Sequence, residues 1–221
     1  MGHTAEDSAA RRRRMVERQL EARGLHDRAV LEAMGGVPRE AFVARSQAGA
    51  AYDDSPLPIG AGQTISQPFV VGLMVEALAL RPTDRALEVG SGSGYAAAVM
   101  SRICGHVFGV ERHLALVEAA RTALERLGYR NVSLRHGDGT LGWPEEAPFD
   151  AILVSAGGPS VPAALRGQLA RGGRMVIPVG GPGRIQRLVR VLREGEDEWR
   201  EDDLGEVAFV PLIGEQGWAE P

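Results

Sequence analysis

Apolar residues recur along this chain with two different periods, and the change from one to the other divides it. Up to about residue 80 the spacing is helical. Residues 5–23 are rich in helix formers and stop at Gly24, a usual C-terminal signal. Asp27 is placed to cap a second helix, DRAVLEAMGG, in which Val30, Leu31 and Met34 fall at helical spacing, and Pro38 opens a third, PREAFV. A polar stretch, GAGQTISQP (60–68), comes next. Pro68 fits the first turn of a helix running to about Leu80, with Pro82 closing it.

From Arg85 onward short apolar runs alternate with amphipathic stretches. RALEVG leads into YAAAVMSRICG, HVFGVE into HLALVEAARTALERLG, and NVSLRHGDG and a loop into FDAILVSAG. A helical VPAALRGQLARGG then leads into RMVIPVG. Strand and helix in this rhythm predict a parallel sheet covered on both faces. RIQRLVRVLRE and EVAFVPLIG, with no long helix between them, predict an antiparallel pair joined by the acidic connection GEDEWREDD. The expected organisation is one α/β domain over 1–221, with a helical cap and polar loop in 1–80 and the sheet in 81–221.

Composition narrows the chemistry. None of the 221 residues is lysine, which removes the P-loop lysine, the Schiff-base lysine and the Ser-Lys dyad together. The net charge of −4 gives no support for non-specific nucleic-acid binding. The arginine run 11–14 lies among acids and helix formers and reads as a solvated helix face. The five histidines show no metal-ligand spacing, so no metal is expected, and the single Cys104, in an apolar context, reads as a buried structural thiol. No apolar run approaches the roughly twenty residues of a membrane span, and no signal-type segment opens the chain. A cytoplasmic protein without a membrane partner is expected, and no heptad seam asks for more than a monomer.

The strand RALEVG runs straight into Gly90, Gly92 and Gly94, and then into a helix. Glycines there permit a tight turn and close approach of a ligand at the strand's carboxyl end. The spacing GxGxG differs from the dinucleotide pattern GxGxxG. Glu88, just ahead of the glycines, would repel a pyrophosphate and suits a ligand with a cationic amino group, which disfavours a nicotinamide dehydrogenase. S-adenosylmethionine carries an ammonium and a sulfonium and no phosphate. Glu111 ends the next strand about twenty residues on, where an acid bonds ribose hydroxyls. Asp138, followed by Gly139, ends the third and is placed to accept from an adenine amino group. Singly each acid reads as a surface residue; three at successive strand ends beside a glycine loop read as a nucleoside site.

Five stretches carry a resemblance. GDGTLGWPEEAPFDAI, YDDSPLPIGAGQTISQP, LEVGSGSGYAAAV, QLARGGRMVIPVG and FVPLIGEQGW resemble, in order and over nearly the whole chain, the protein-L-isoaspartate O-methyltransferase family. The resemblance implies a Rossmann-like, seven-stranded S-adenosylmethionine-dependent methyltransferase fold, with the helical cap in front and the antiparallel strand pair behind. It implies methyl transfer to the α-carboxylate of L-isoaspartyl residues in damaged proteins and peptides. The ester then collapses to a succinimide that can reopen to aspartate. It also implies an active-site role for Ser66, with Thr64 and Ile65 lining the pocket. The tail departs from the pattern: Ile213 and GEQGW stand where some relatives carry a hydroxyl residue and a following glutamine, and VSAGGPSVP is richer in glycine than the alanine-rich version.

The chemistry makes sense of a polar loop without a base. A carboxylate with a pKa near 4 is ionised at neutral pH, so the acceptor brings its own nucleophile. What remains is positioning, for which hydroxyl and amide donors suffice. Ser66 is equally placed to be an N-cap or turn serine ahead of Pro68. Gln63 stands open between a ligand contact and support of the loop backbone. The competing readings are a relative that methylates aspartate in a dedicated peptide and a non-catalytic S-adenosylmethionine-binding module.

Overall fold

The computed structural model describes residues 5–181 and 185–220. Helix α1 (Ala5–Met15) continues through a π-turn at Val16–Leu20 and a 3-10 turn at Glu21–Arg23, and Gly24 ends it in the left-handed region at φ 96°. Asp27 caps α2 (Arg28–Gly36), accepting from the amides of Ala29 and Val30. The arginine run departs from the solvated face expected of it. Arg12 is half-buried and donates to the Gly35 carbonyl at 2.7 Å and to the Tyr52 hydroxyl at 3.1 Å, while Arg11 reaches the Gly49 carbonyl. Arginines 13 and 14 do face solvent. The charge pattern was a poor guide because long guanidinium stems cross apolar surface to reach acceptors left open at the end of α2 and in the turns that follow it.

The polar stretch is a structured element. Strands β1 (Leu57–Gly60) and β2 (Gln63–Ile65) form an antiparallel hairpin, and three residues in the left-handed region, Gly60, Ala61 and Gly62, turn it. Helix α3 (Pro68–Ala77) follows at once. Its C-terminal carbonyls are held by one side chain. Arg174 donates to the carbonyls of Leu78 and Ala79 and pairs with buried Asp84. Helix ends leave carbonyls unsatisfied, and this guanidinium ties α3, and so the loop before it, to the sheet.

The main sheet has the order β5-β4-β3-β6-β7-β8-β9. Strands β3 (Arg85–Val89), β4 (His106–Glu111), β5 (Val132–His136), β6 (Phe149–Val154) and β7 (Leu169–Val179) are parallel. Strands β8 (Gln186–Arg193) and β9 (Trp199–Val207) are antiparallel. Helices α4 (Tyr95–Ser101) and α5 (Leu114–Arg126) and the cap pack on one face, over Ala86, Val107, Leu153 and Val176. The opposite face buries Leu87, Phe108, Ile152 and Met175 together with α6 (Ala163–Gln168). The chain leaves β3 toward β4 and β5 and returns to β6 on its other side. The crevice at this reversal is the expected ligand position in an open parallel sheet.

Several boundaries differ from the sequence reading. PREAFV forms only a 3-10 turn at Arg39–Phe42, and of the expected strand EVAFVPLIG only Glu206 and Val207 belong to β9, the rest bridging singly at Pro211 and Ile213. The helix expected over VPAALRGQLARGG stops at Gln168, because Leu169 pairs with Phe149 and is fully buried as the first residue of β7; a register irregularity then absorbs the ARGG residues. The acidic connection is shorter than expected, since Trp199 to Asp203 are the first half of β9. Arg190 reaches Asp202 across the ladder at 2.7 Å, and Arg187 reaches Asp203 at 3.6 Å. Acids there are paired cross-strand charges on an edge strand, the usual protection of an exposed edge. The arginine that opens the expected strand RIQRLVRVLRE, at position 184, lies outside the described residues. Cys104 is buried, and burial pushes its thiol up to about 12. Among the described residues no helix is long and apolar enough to cross a membrane.

Candidate active site

Gly90, Gly92 and Gly94 all have positive φ, at 78°, 51° and 83°, a region L side chains rarely adopt. Two of them face the cleft. Gly94 is instead the N-cap of α4, and a Cβ there would lie 3.2 Å from Ala120. The Gly90 amide donates to the Val110 carbonyl at 2.8 Å, which turns the loop over the end of β4. Ile59 of the hairpin lies above Gly92, where a Cβ would come within 3.1 Å of its side chain. The hairpin therefore roofs the glycine loop.

Three connected spaces open beneath and beside that roof. One, of about 520 Å³, lies between the glycine loop, Glu111, His113, Gly139 and the returning segment Val210 to Ile213. A second, of about 440 Å³, is lined by Glu88, Ser91, Tyr95, Ile65 and Ser66. The third is an open groove of about 1010 Å³ between Gln67, Val70, Val207 and Phe209. Thr64 and Ser155 line all three, and Ser66 lines the second and third. The residues lining the second space and the groove include no Cys, His or Lys.

The two buried acids differ. Glu111 is 5% exposed, and its oxygens accept from the Gly92 amide at 3.0 Å and the His113 amide at 2.9 Å. Glu88 is 1% exposed and one of its oxygens has no hydrogen-bond partner. Burial, and then the charge of Glu111, push its carboxyl well above the usual range, while the Ala97 backbone and the Ser155 side chain hold it back. An orphaned buried carboxylate oxygen aimed into a cleft fits a cationic ligand group.

The Asp138 carboxylate is occupied. It accepts from the Thr140 amide and hydroxyl at 2.8 and 2.7 Å and from the Glu215 amide at 2.8 Å. It thereby fastens the tail, and Trp218 completes the fastening by donating from its indole to the Gly157 carbonyl at 3.0 Å. Ser66 is not the helix cap: Gln67 holds that position, with no side-chain cap bond. Gln63 lines the first space and also donates to the Ala61 carbonyl at 3.1 Å, so loop support and a place on the cleft coexist.

A family profile described as protein-L-isoaspartate(D-aspartate) O-methyltransferase matches residues 10–217. The chain belongs to that family. A protein-L-isoaspartate O-methyltransferase of Methylorubrum extorquens is 61% identical over 215 residues, covering 97% of this chain and 93% of that protein. A second, from Pelobacter propionicus, is 57% identical, covering 94% and 92%. A solved protein-L-isoaspartate O-methyltransferase superposes with a TM-score of 0.84 at 33% identity, over 93% of this chain and 67% of that one. A Plasmodium falciparum protein described under the same activity, solved with S-adenosyl-L-homocysteine, gives 0.78 at 28% identity, over 91% and 98%. Membership makes this chain an S-adenosylmethionine-dependent methyltransferase, and the sheet order and C-terminal antiparallel strands agree with that fold.

Of the residues that the sequence singled out in this isoaspartyl methyltransferase, the structure brings all but Gly94 and Asp138 to the walls of the three spaces. Sequence reasoning named neither Ser155 nor His113 as a site residue. Ser155 directly follows β6, beside β3, so the argument from strand ends, carried one strand further, would have found it. The tail at Ile213, set apart in the sequence only as a departure from the family pattern, lines the first space; it arrives by bridging, with the Gly157 amide donating to Val210 and the Leu212 amide to Gly157.

Proposed function

We infer that the chain methylates the α-carboxylate of L-isoaspartyl residues in damaged proteins and peptides, with Ser66 as the residue that holds the acceptor carboxylate. The observation that carries this is the junction of cleft and groove at three hydroxyl residues, Thr64, Ser66 and Ser155, with no Cys, His or Lys among the groove and second-space residues and Glu88 reserved for the cofactor side. An acceptor that is already ionised needs donors there and nothing else.

When bound, S-adenosylmethionine supplies a methyl group on a cationic sulfonium. Glu88 would hold its ammonium, Glu111 its ribose, and Gly90, Gly92 and Gly139 permit close backbone approach. Gln63, Thr64 and Ile65 line the roof. Asp138 serves the adenine end with the lone pairs its internal bonds leave free, and through the tail it fastens. Ser66 lies at the inner end of the groove, where its hydroxyl orients the acceptor oxygen without removing a proton. Phe209, Val207 and Val70 offer the acceptor chain an apolar bed while the cleft excludes water. The whole chain acts as one unit: residues 1–80 supply the roof and Ser66, and 81–221 the glycine loop and acids of the cofactor side together with Val207 and Phe209 of the groove. Since one copy supplies the described walls of the three spaces, a monomer suffices, and we place it in the cytoplasm.

The test is methyl transfer from labelled S-adenosylmethionine to two peptides that differ only in L-isoaspartate or L-aspartate at one position. Base-labile label on the isoaspartyl peptide alone is expected, and label on neither, with cofactor still bound, would refute the reading. Ser66→Ala is expected to lower kcat about a hundredfold with cofactor Kd unchanged. A shift in Kd with kcat intact would remove Ser66 from the acceptor side.

A further inference from the structure

Once the acids and Ser66 have roles, Ser155 remains. Its amide donates to the Val89 carbonyl at 2.8 Å, which pins it beside the first glycine of the loop; a Cβ on Gly90 would lie 3.8 Å from its own Cβ. It lines both cleft compartments and the groove, and its hydroxyl lies by the Glu88 carboxyl, whose ionised form it favours.

Counting protons decides what this hydroxyl offers. A serine has one O–H and two lone pairs, and an ionised carboxylate accepts only. With an ammonium ligand beside it Glu88 is ionised, so Ser155 donates its single proton to Glu88. Toward the junction it then presents lone pairs alone. Lone pairs repel an acceptor carboxylate and attract a cation. C–H groups attached to a sulfonium are polarised enough to make C–H···O contacts. We propose that Ser155 is a second functional hydroxyl of the transfer site, an acceptor facing the cationic sulfonium and its methyl group, with polarity opposite to that of Ser66. This rests on the function inferred above and divides the work at the junction. Ser66 donates to the acceptor carboxylate, and Ser155 accepts from the donor methyl. Thr64, on the roof, completes the ring.

The experiment compares binding of S-adenosylmethionine and S-adenosylhomocysteine, without peptide, by wild type, Ser155→Ala and Ser155→Thr. Both ligands carry the same ammonium and nucleoside, so any effect that acts only through Glu88 or through general packing weakens both alike. Only the former has the methyl and the sulfonium charge. Ser155→Ala is expected to weaken S-adenosylmethionine about three- to fivefold with S-adenosylhomocysteine unchanged, and Ser155→Thr to keep the wild-type ratio. An unchanged ratio in Ser155→Ala, whether both affinities fall or neither does, overturns the proposal. If the wild-type protein still methylates the isoaspartyl peptide in that case, the loss falls on Ser155 alone. Failure of wild type to bind either ligand would instead bring down the inferred function and this role with it.

Discussion

The first and second compartments of the cleft each hold a buried glutamate at a strand end, and the two acids are satisfied in opposite ways. Glu111 arrives complete, its two oxygens held by the amides of Gly92 and His113. Glu88, one strand away and still more buried, keeps an oxygen without a partner. A carboxylate held by backbone amides is preorganised and helps to shape the glycine loop whether or not ligand is bound. A carboxylate left short of partners costs the ligand-free protein and gains its partner only when a cation enters. One compartment is built for shape, the other for charge.

Breaking the first acid is expected to have the largest effect. Glu111→Ala leaves two loop amides unpaired besides removing the ribose acceptor, and cofactor Kd should weaken about a hundredfold, read by calorimetry, with a lower Tm. An unchanged Kd would end the ribose assignment. Glu88→Gln should weaken cofactor binding about tenfold while raising the ligand-free Tm, by about 1 kcal/mol of stability, since a buried carboxyl that resists ionisation is replaced by a neutral group. If Tm falls instead, the internal partners that Glu88 has outweigh its burial and the contrast between the two compartments fails.

The same contrast has a pH signature. The folded-state pKa of Glu88 is raised, so the folded protein keeps a proton that the unfolded chain releases. The stability from this group is full below the unfolded value and is lost as pH rises through the folded one. A cationic ligand favours the ionised form. Over that interval binding therefore expels a proton, and cofactor affinity rises with pH. Calorimetry in buffers of different ionisation enthalpy should detect the released proton, and Glu88→Gln should abolish both the release and the slope. The smallest effect expected is at the tail. Gly214 packs against the Asp138 carboxylate so closely that a Cβ would displace it. Gly214→Ala should weaken cofactor binding only a few-fold, with Ser66-dependent turnover at saturation unchanged.

Much of this architecture was legible because it is local. The glycine loop, the strand-end acids and the change of hydrophobic period each follow from neighbours in sequence, and the sheet sets Glu88, Gly90, Gly92 and Glu111 on the cleft, while Gly94 and Asp138 lie off it. What was misread depended on partners far along the chain. Arg12 left solvent because the Gly35 and Tyr52 groups were waiting for it. The acids of β9 became strand because arginines of β8 stand opposite. Leu169 left its helix to pair with Phe149.

The sequence by itself pointed to the reaction class: Glu88 with its glycines and the strand-end acids suit a cationic, nucleoside-bearing ligand, and the resemblance carried by GAGQTISQP and GDGTLGW implies methyl transfer to a carboxylate. Only the tertiary structure decided that the polar stretch is a hairpin roofing the loop. It also decided that Asp138 fastens the tail, and that Ser155 meets Thr64 and Ser66 at one junction. The reason is physical. Residue type sets what a side chain is able to donate or accept, but which of those capacities remains free depends on every other group the fold brings within hydrogen-bonding distance.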